Sequence, residues 1–305
     1  MKIAITGSNG IIGRELFSQL YNTYENAEFV LIIRNAFKKE NIPRVSNVKI
    51  DLLSINSESA SLFFKEEKID YFFHLAWDTN HSDYLVSENN QKWESSSIIL
   101  IDEFYRNGGL KFIGVGSSIE YDWKYPNPFN EFNSKLNGNN WAYGKSKLNI
   151  FNYLSAIPNI SFQWHRIFFV FGPGQSNKRL IPLIIKNALN NTEPLSVNLN
   201  LGRDYISTFE IAKQITLMST TSYSGGLNIC SGKPILISEI ISKIEKITQK
   251  KVVISPNEFK DNFELQNISG CQHIIKSYFP DYNYSEINFE NDLKKTINFF
   301  YKNRL

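Results

Sequence analysis

The sequence predicts a doubly wound α/β fold, a parallel sheet with helices on both faces, and two observations carry that prediction. Short apolar runs alternate with amphipathic stretches through the first 167 residues, and a glycine-rich turn joins the first run to the first stretch. The runs at 2–6, 29–33, 48–50, 71–74, 112–115 and 160–167 have the length of buried strands. Between them, 11–21, 57–66, 93–105 and 141–156 space their apolar residues three and four apart, as a helix with one buried face requires. Strand–helix–strand repetition makes a parallel sheet with right-handed crossovers.

After residue 167 the pattern breaks. Gly172-Pro173-Gly174 is a turn signal, and short elements with polar loops follow. The expected organisation is a large domain over 1–167 and a smaller α/β domain over 168–305, with elements around 200–224 returning to the large one. A crevice between two such domains suits a small-molecule ligand.

Composition narrows the function classes. Among 305 residues, Lys plus Arg number 33 and Asp plus Glu 30, so the net charge is only +3. That balance gives no field for gripping nucleic acid, and none is expected as partner. No run approaches the ~18 apolar residues of a membrane span. The first residues, Met1-Lys2-Ile3-Ala4-Ile5, lead directly into a strand without a signal-peptide core, and the two cysteines, Cys230 and Cys271, suit a reducing compartment. A cytoplasmic protein is expected. His74, His81, His165 and His273 show no ligand spacing, so no metal site is expected; His165, between Trp164 and Arg166, reads as a packed core histidine.

The sharpest local signal is Thr6-Gly7-Ser8-Asn9-Gly10-Ile11-Ile12-Gly13, a strand–turn–helix with glycines at Gly-x-x-Gly-x-x-Gly spacing. Gly7 permits the tight turn, Gly10 a close approach of backbone to pyrophosphate, and Gly13 close helix–strand packing. The helix N-terminus then offers free N–H groups to the anion. A glycine-rich turn without ligand is the bland alternative, but the context is that of a Rossmann-type dinucleotide site. Asn9, Ile11 and Ile12 belong to the same expected contact set. At the end of the second strand, where an acid would hold the ribose 2′-hydroxyl of NAD, the chain reads Arg34-Asn35. Arg34 suits a 2′-phosphate, so NADP(H) is favoured over NAD(H). Asp51, with Leu52 beside it, is placed at the adenine, although Asp51 equally suits a turn cap.

Tyr143 and Lys147, in Trp141-Ala-Tyr-Gly-Lys-Ser-Lys147, lie four apart on one helix face. A nearby ammonium brings a tyrosine toward a useful acid–base range, although Tyr-x-x-x-Lys alone is common. Ser117 and Ser118 follow the fifth strand, at the carboxyl edge where ligands bind in such sheets. A serine pair alone reads equally as a turn.

In order, the glycine motif, His74-Leu75-Ala76, Ser117 and Tyr143…Lys147 resemble the extended short-chain dehydrogenase/reductase family, in its nucleotide-sugar epimerase/dehydratase/reductase branch. Arg166 to Gly174, Gly202-Arg203-Asp204-Tyr205-Ile206 and Leu227 to Gly232 extend the resemblance over essentially the whole chain. It implies Tyr143 as the acid/base on a sugar oxygen, Lys147 as the group that binds the nicotinamide ribose and lowers the Tyr143 pKa, and Ser117 as the donor that polarises the carbonyl. Leu75, Ala76 and Trp77 would line the cofactor channel and Phe168 would pack near the nicotinamide. Ser118, Arg179 and Arg203 would contact the substrate, the arginines at its diphosphate; Lys178 is a weaker candidate. The smaller domain would be the substrate-binding one.

Departures from the family pattern sort the reactions. Related 4,6-dehydratases carry an acidic pair, or a nearby Glu, after the serine or threonine; here stand Ser118 and Ile119, with Glu120 one residue later, on the opposite side of an extended segment unless a local bulge restores it. Epimerising reductases carry a cysteine in this loop and a histidine after the Gly-Pro turn; here stand Ile119 and, over 175–179, no histidine. The family's strand asparagine is Phe169. What remains needs only hydride transfer, which fits reduction of a nucleotide-linked 4-keto-(6-deoxy)sugar and equally hydride-out, hydride-back epimerisation at C4. The NADP(H) preference read from Arg34 favours the reductase, which resembles those of bacterial surface-polysaccharide synthesis. An NAD-dependent 4-epimerase is the alternative, and a non-catalytic NADP(H)-sensing regulator the alternative of another class. The resemblance also implies a homodimer through 83–106 and 141–156.

Overall fold

In a computed structural model the described residues are all but 35–41, 80–82, 126–127, 191–192, 256–266 and 304–305. His81 and Asn35 therefore lie outside them. A seven-stranded sheet takes the order β10-β6-β5-β4-β1-β2-β3, from β1 (Lys2–Thr6), β2 (Glu28–Ile33), β3 (Val45–Lys49), β4 (Tyr71–His74), β5 (Lys111–Ser117), β6 (Phe162–Ile167) and β10 (Gly225–Ile229). Parallel registers align Thr6 with Ile32 and His74, and His74 with Gly114, so the strands end along one carboxyl edge. That order, starting from the middle and winding outward both ways, is the doubly wound Rossmann arrangement. The third strand begins three residues earlier than its apolar run because Val45, Ser46 and Asn47 pair with Phe29, Val30 and Leu31, Ser46 and Asn47 doing so despite their polarity.

Two compact units divide the chain. The first comprises Met1–Asp122, Lys135–Arg166 and Ala212–Leu227; the second comprises Trp123–Ser134, Ile167–Ile211 and Asn228–Leu305. In the first, helices α1 (Ile11–Thr23), α2 (Ser57–Glu67), α3 (Asn89–Arg106) and α4 (Ala142–Ala156) connect the strands. Phe64, Phe72, Phe104 and Phe112 fill the core between α2, α3 and the sheet, with Phe72 in edge contact with Phe64 and Phe112. Helix α3 starts at Asn89; residues 83–86 form turns, not its first coil.

The second unit has two small sheets. One is β11-β8-β12, from β8 (Gly202–Arg203), β11 (Ile235–Leu236) and β12 (Asn267–Ile268); the other pairs β7 (Phe169–Phe171) in parallel with β9 (Tyr205–Ser207). Helices α5 (Leu180–Asn190), α7 (Ile237–Thr248) and α9 (Glu286–Lys302) pack on one another there. The buried stripe Ile237, Ile240, Ile241 and Ile244 shows why α7 docks: three- and four-residue spacing puts all four on one face. Helix α6 (Thr208–Ser219) carries the chain from the second unit back to the first, and α8 (His273–Tyr278) is a short turn of the second.

Candidate active site

The glycine turn is built by contact. Gly7 has φ +70°, and a Cβ on it would stand 2.8 Å from the Ala76 nitrogen; a Cβ on Gly13 would stand 2.1 Å from the Gly7 oxygen. Those positions must therefore be bare. Helix α1 opens at Gly10 with no side-chain cap and no acid in its first turn. Its leading N–H groups and positive end face an unblocked turn. Ser8 is buried and its hydroxyl has no partner among the described residues. A bare cradle, an uncapped helix end and an orphaned hydroxyl together fit a pyrophosphate. Asn9 and Gly10 are exposed there, and Ile11 and Ile12 half-buried.

Behind this turn a polar chain ties β1 to β4 and α3. The Thr6 oxygen accepts the Leu75 and Ala76 N–H groups at 3.1 Å each. Its hydroxyl lies 2.9 Å from His74 Nδ1, and His74 Nε2 lies 2.9 Å from Ser97 Oγ, which donates to the Trp93 carbonyl. Since the Ser97 proton is committed, Nε2 carries the imidazole hydrogen and Nδ1 accepts from Thr6. Burial pushes the His74 pKa down to about 3, in keeping with that neutral ring. Thr6, which fixes Leu75 and Ala76, was named only as part of the glycine motif, and Ser97 had no sequence signal.

Tyr143 enters from the first turn of α4. Gly144 lets that turn press against a preceding loop, because a Cβ there would meet the Gly138 oxygen at 2.3 Å and Ile119 at 2.7 Å. Tyr143 is held between Trp77 and Tyr84, with ring centroids at 6.0 and 5.2 Å. One turn on, Lys147 is 3% exposed and donates to the Val115 carbonyl at 2.8 Å. Its ammonium lies 3.7 Å from the Trp77 ring centroid and 5.9 Å from that of Tyr143. Burial pushes the Lys147 pKa down to about 7, with the Glu120 carboxylate pulling the other way. Trp77 is anchored by Trp93, stacked at 5.9 Å, and by a 2.9 Å bond to Asn90.

Ser117 ends β5, half-buried, and its hydroxyl oxygen accepts the Ile119 N–H at 3.3 Å. The segment after it is a 3₁₀ turn, Ser118–Glu120, not the extended chain the sequence suggested. Glu120 still turns away from solvent: it is fully buried, accepting from Ser117 N at 2.8 Å, Trp164 Nε1 at 3.0 Å and Arg166 Nε at 2.9 Å. Ser118 is buried as well. The pairing of Glu120 with Arg166 was missed, although Trp164 and Arg166, two apart on one strand, necessarily share a face.

Other expected residues take varied places. Arg34 is exposed at the end of β2. Asp51 caps the 3₁₀ turn Leu52–Ser54 by accepting the Leu53 N–H, and Leu52 is buried. In the second unit Phe168 is buried against Gly270, and Arg203 lies over the Phe169 ring at 5.6 Å. Arg203 and Arg179 both reach the Tyr205 phenol electrostatically, although burial dominates and lifts it to about 12. Lys178 is exposed.

The fold is Rossmann-type, and this arrangement fits nicotinamide dinucleotide chemistry. The model of the NAD dependent epimerase/dehydratase family matches residues 3–230, and the chain belongs to that family. A dTDP-6-deoxy-L-talose 4-dehydrogenase (NAD(+)) from Aggregatibacter actinomycetemcomitans is 24% identical over 244 residues, covering 77% of this chain and 86% of that protein. Among solved structures, a UDP-N-acetylglucosamine 4-epimerase from Methanobrevibacter ruminantium M1, bound to UDP-N-acetylmuramic acid, superposes with TM-score 0.84 at 22% identity, covering 99% of this chain and 98% of that one. A Thermus thermophilus UDP-glucose 4-epimerase in complex with NAD gives TM-score 0.77 at 17% identity, covering 99% of each chain. Among the described residues no helix is long and apolar enough to cross a membrane.

Proposed function

We propose that the protein reduces the 4-keto group of a nucleotide-linked 6-deoxy sugar with NADP(H), as a cytoplasmic homodimer serving bacterial surface-polysaccharide synthesis. The observation that carries the chemistry is the commitment of Glu120. Every oxygen of the carboxyl nearest Ser117 in sequence accepts bonds inside the core, so it is no acid or base for elimination. Proton-coupled hydride transfer needs only Ser117, Tyr143 and Lys147.

A bound nicotinamide dinucleotide supplies or accepts the hydride at the sugar carbon. Ser117, whose oxygen already accepts from Ile119, keeps its hydroxyl proton for the carbonyl oxygen of the substrate. Tyr143 delivers the proton that turns this oxygen into a hydroxyl, and the Lys147 ammonium lowers the cost of the phenolate left behind. Leu75, Ala76 and Trp77 would line the cofactor channel, and Phe168 is the second unit's candidate for the nicotinamide. Asp51 and Leu52 would serve the adenine, and Arg34 would pair with a 2′-phosphate. Ser118, Arg179 and Arg203 serve the nucleotide sugar. The talose dehydrogenase relative, named for oxidation at C4 of a 6-deoxy sugar, supports this substrate class.

A second reading, an NAD-dependent 4-epimerase, draws on the structural likeness to 4-epimerases. Mass spectrometry of the nucleotide released on denaturing the purified protein separates the two. NADP(H), or an empty protein that binds NADPH more tightly than NADH, is the expected result, and Arg34→Asp should invert that preference. Stoichiometric, tightly held NAD overturns the Arg34 assignment and favours the epimerase.

A further inference from the structure

A fully buried carboxylate just past the end of a strand needs an explanation that elimination chemistry does not provide. Strand β5 ends at Ser117, and the Glu120 carboxylate takes that residue's N–H at 2.8 Å. Oxygen Oε1 also accepts the Trp164 indole at 3.0 Å; Oε2 accepts the indole at 3.1 Å and Arg166 Nε at 2.9 Å. Arg166 is itself 1% exposed, lying 4.3 Å from the Phe151 ring centroid. Room for this clamp comes from two glycines on one face of β5. A Cβ on Gly116 would stand 2.2 Å from Glu120 Oε1, and one on Gly114 would stand 2.5 Å from the Trp164 ring.

Such a buried ion pair adds little stability compared with apolar residues of the same volume, because desolvating two charges offsets their attraction. What the clamp secures is geometry. With its N–H held by Glu120 and its oxygen accepting from Ile119, Ser117 has its backbone and its rotamer fixed from both sides.

We propose that Glu120, braced by Trp164 and Arg166, is a positioning residue that holds Ser117 so that its hydroxyl proton meets the substrate's carbonyl oxygen. The proposal rests on the reading of Ser117 as the carbonyl's donor. Glu120 touches neither substrate nor cofactor and acts through Ser117. Its negative charge also favours the protonated Lys147, so rates are compared on the acid plateau of the pH profile, where Lys147 is an ammonium in every variant.

A double-mutant cycle with Ser117→Ala and Glu120→Gln tests this, using enzyme supplied with NADPH and dTDP-4-keto-6-deoxyglucose. Misplacing a catalytic group by about 1 Å costs about 10²-fold in rate. Glu120→Gln should accordingly lower kcat by about that factor with little change in KM, and should add nothing to the loss in Ser117→Ala. In the cofactor-free protein the Ser117 amide should exchange faster in Glu120→Gln, while the amides of Phe72 and Phe112 stay protected. The double variant Glu120→Leu/Arg166→Met removes both charges together but leaves the Trp164 indole and the Ser117 N–H without their acceptor, so it should melt below the wild type with kcat still low. Additive losses in the cycle, an unchanged Ser117 amide, or recovery of kcat in the charge-free variant would each overturn the proposal. If Ser117→Ala alone leaves turnover intact, the fault lies with the site assignment, and the Ser117 amide still judges the clamp.

Discussion

At Lys147 burial and chemistry pull against each other. The ammonium has a carbonyl and three aromatic faces around it, and burial brings its pKa down to about 7. The unfolded lysine, near 10.5, therefore binds a proton that the folded one lacks between pH 7 and 10. Stability from this group rises with pH across that window, and the full penalty stands below pH 7. Lys147→Met should lose turnover by at least about 10²-fold yet melt higher than wild type. Its advantage in Tm should be largest at pH 6 to 7 and shrink toward pH 10; a lower Tm at pH 6 would contradict the account. In the free enzyme the same titration predicts that kcat/KM for ketone reduction falls as pH rises through about 7. At this scale Tyr143 and Lys147 were legible in the sequence because helical spacing puts residues four apart on one face. The Thr6–His74–Ser97 chain was not, since its partners lie on three separate elements.

Glycines decide how the elements meet. Gly7, Gly13, Gly114, Gly116 and Gly144 each sit where a methyl group would strike backbone or a locked side chain. Gly13 is the sharpest case, with α1 resting on the Gly7 carbonyl. Gly13→Ala should push α1 off the turn, costing about 1–3 kcal/mol of stability by overpacking. Cofactor affinity should fall with it, as read by chemical denaturation and by titration with NADPH. Unchanged affinity would show that the turn does not cradle the pyrophosphate. The glycine turn was readable because its spacing has a mechanism, whereas Gly114 and Gly116 make sense only against Trp164 and Glu120. The 3₁₀ turn Ser118–Glu120 was misread as extended, since three residues carry too little periodicity to reveal it.

Over the whole molecule, the doubly wound sheet was legible because six of its seven strands are apolar runs long enough to carry a pattern, while their order and the seventh strand, Gly225–Ile229, were not. Nor were the small sheets, because β8, β11 and β12 have two residues each and owe their pairing to distant chain. Acid should destabilise the protein through two buried neutral imidazoles. Burial holds His74 and His165 at about 3, against 6.5 when unfolded, so each contributes stability that is lost as pH falls from 6.5 toward 3. Asp204, raised by burial from 3.8 to about 6, works in the opposite sense between those values. Glu131, also raised by burial, adds to that offset; each histidine contributes one proton taken up on unfolding, a slope of about 1.4 kcal/mol per pH unit between pH 6 and 4. Urea unfolding across that range measures it, and His165→Leu should flatten the slope; an unchanged slope would exclude this histidine as a source.

The account's central claim is hydride transfer to a sugar ketone through Tyr143. Its most direct test is to mix the protein with NADPH and dTDP-4-keto-6-deoxyglucose, then follow nicotinamide absorbance and sugar products together. One NADPH consumed per 4-hydroxyl formed, with loss of activity in Tyr143→Phe, is the predicted result. Conversion of a nucleotide sugar to its C4 epimer on bound NAD without net cofactor consumption, or undiminished reduction in Tyr143→Phe, would contradict it.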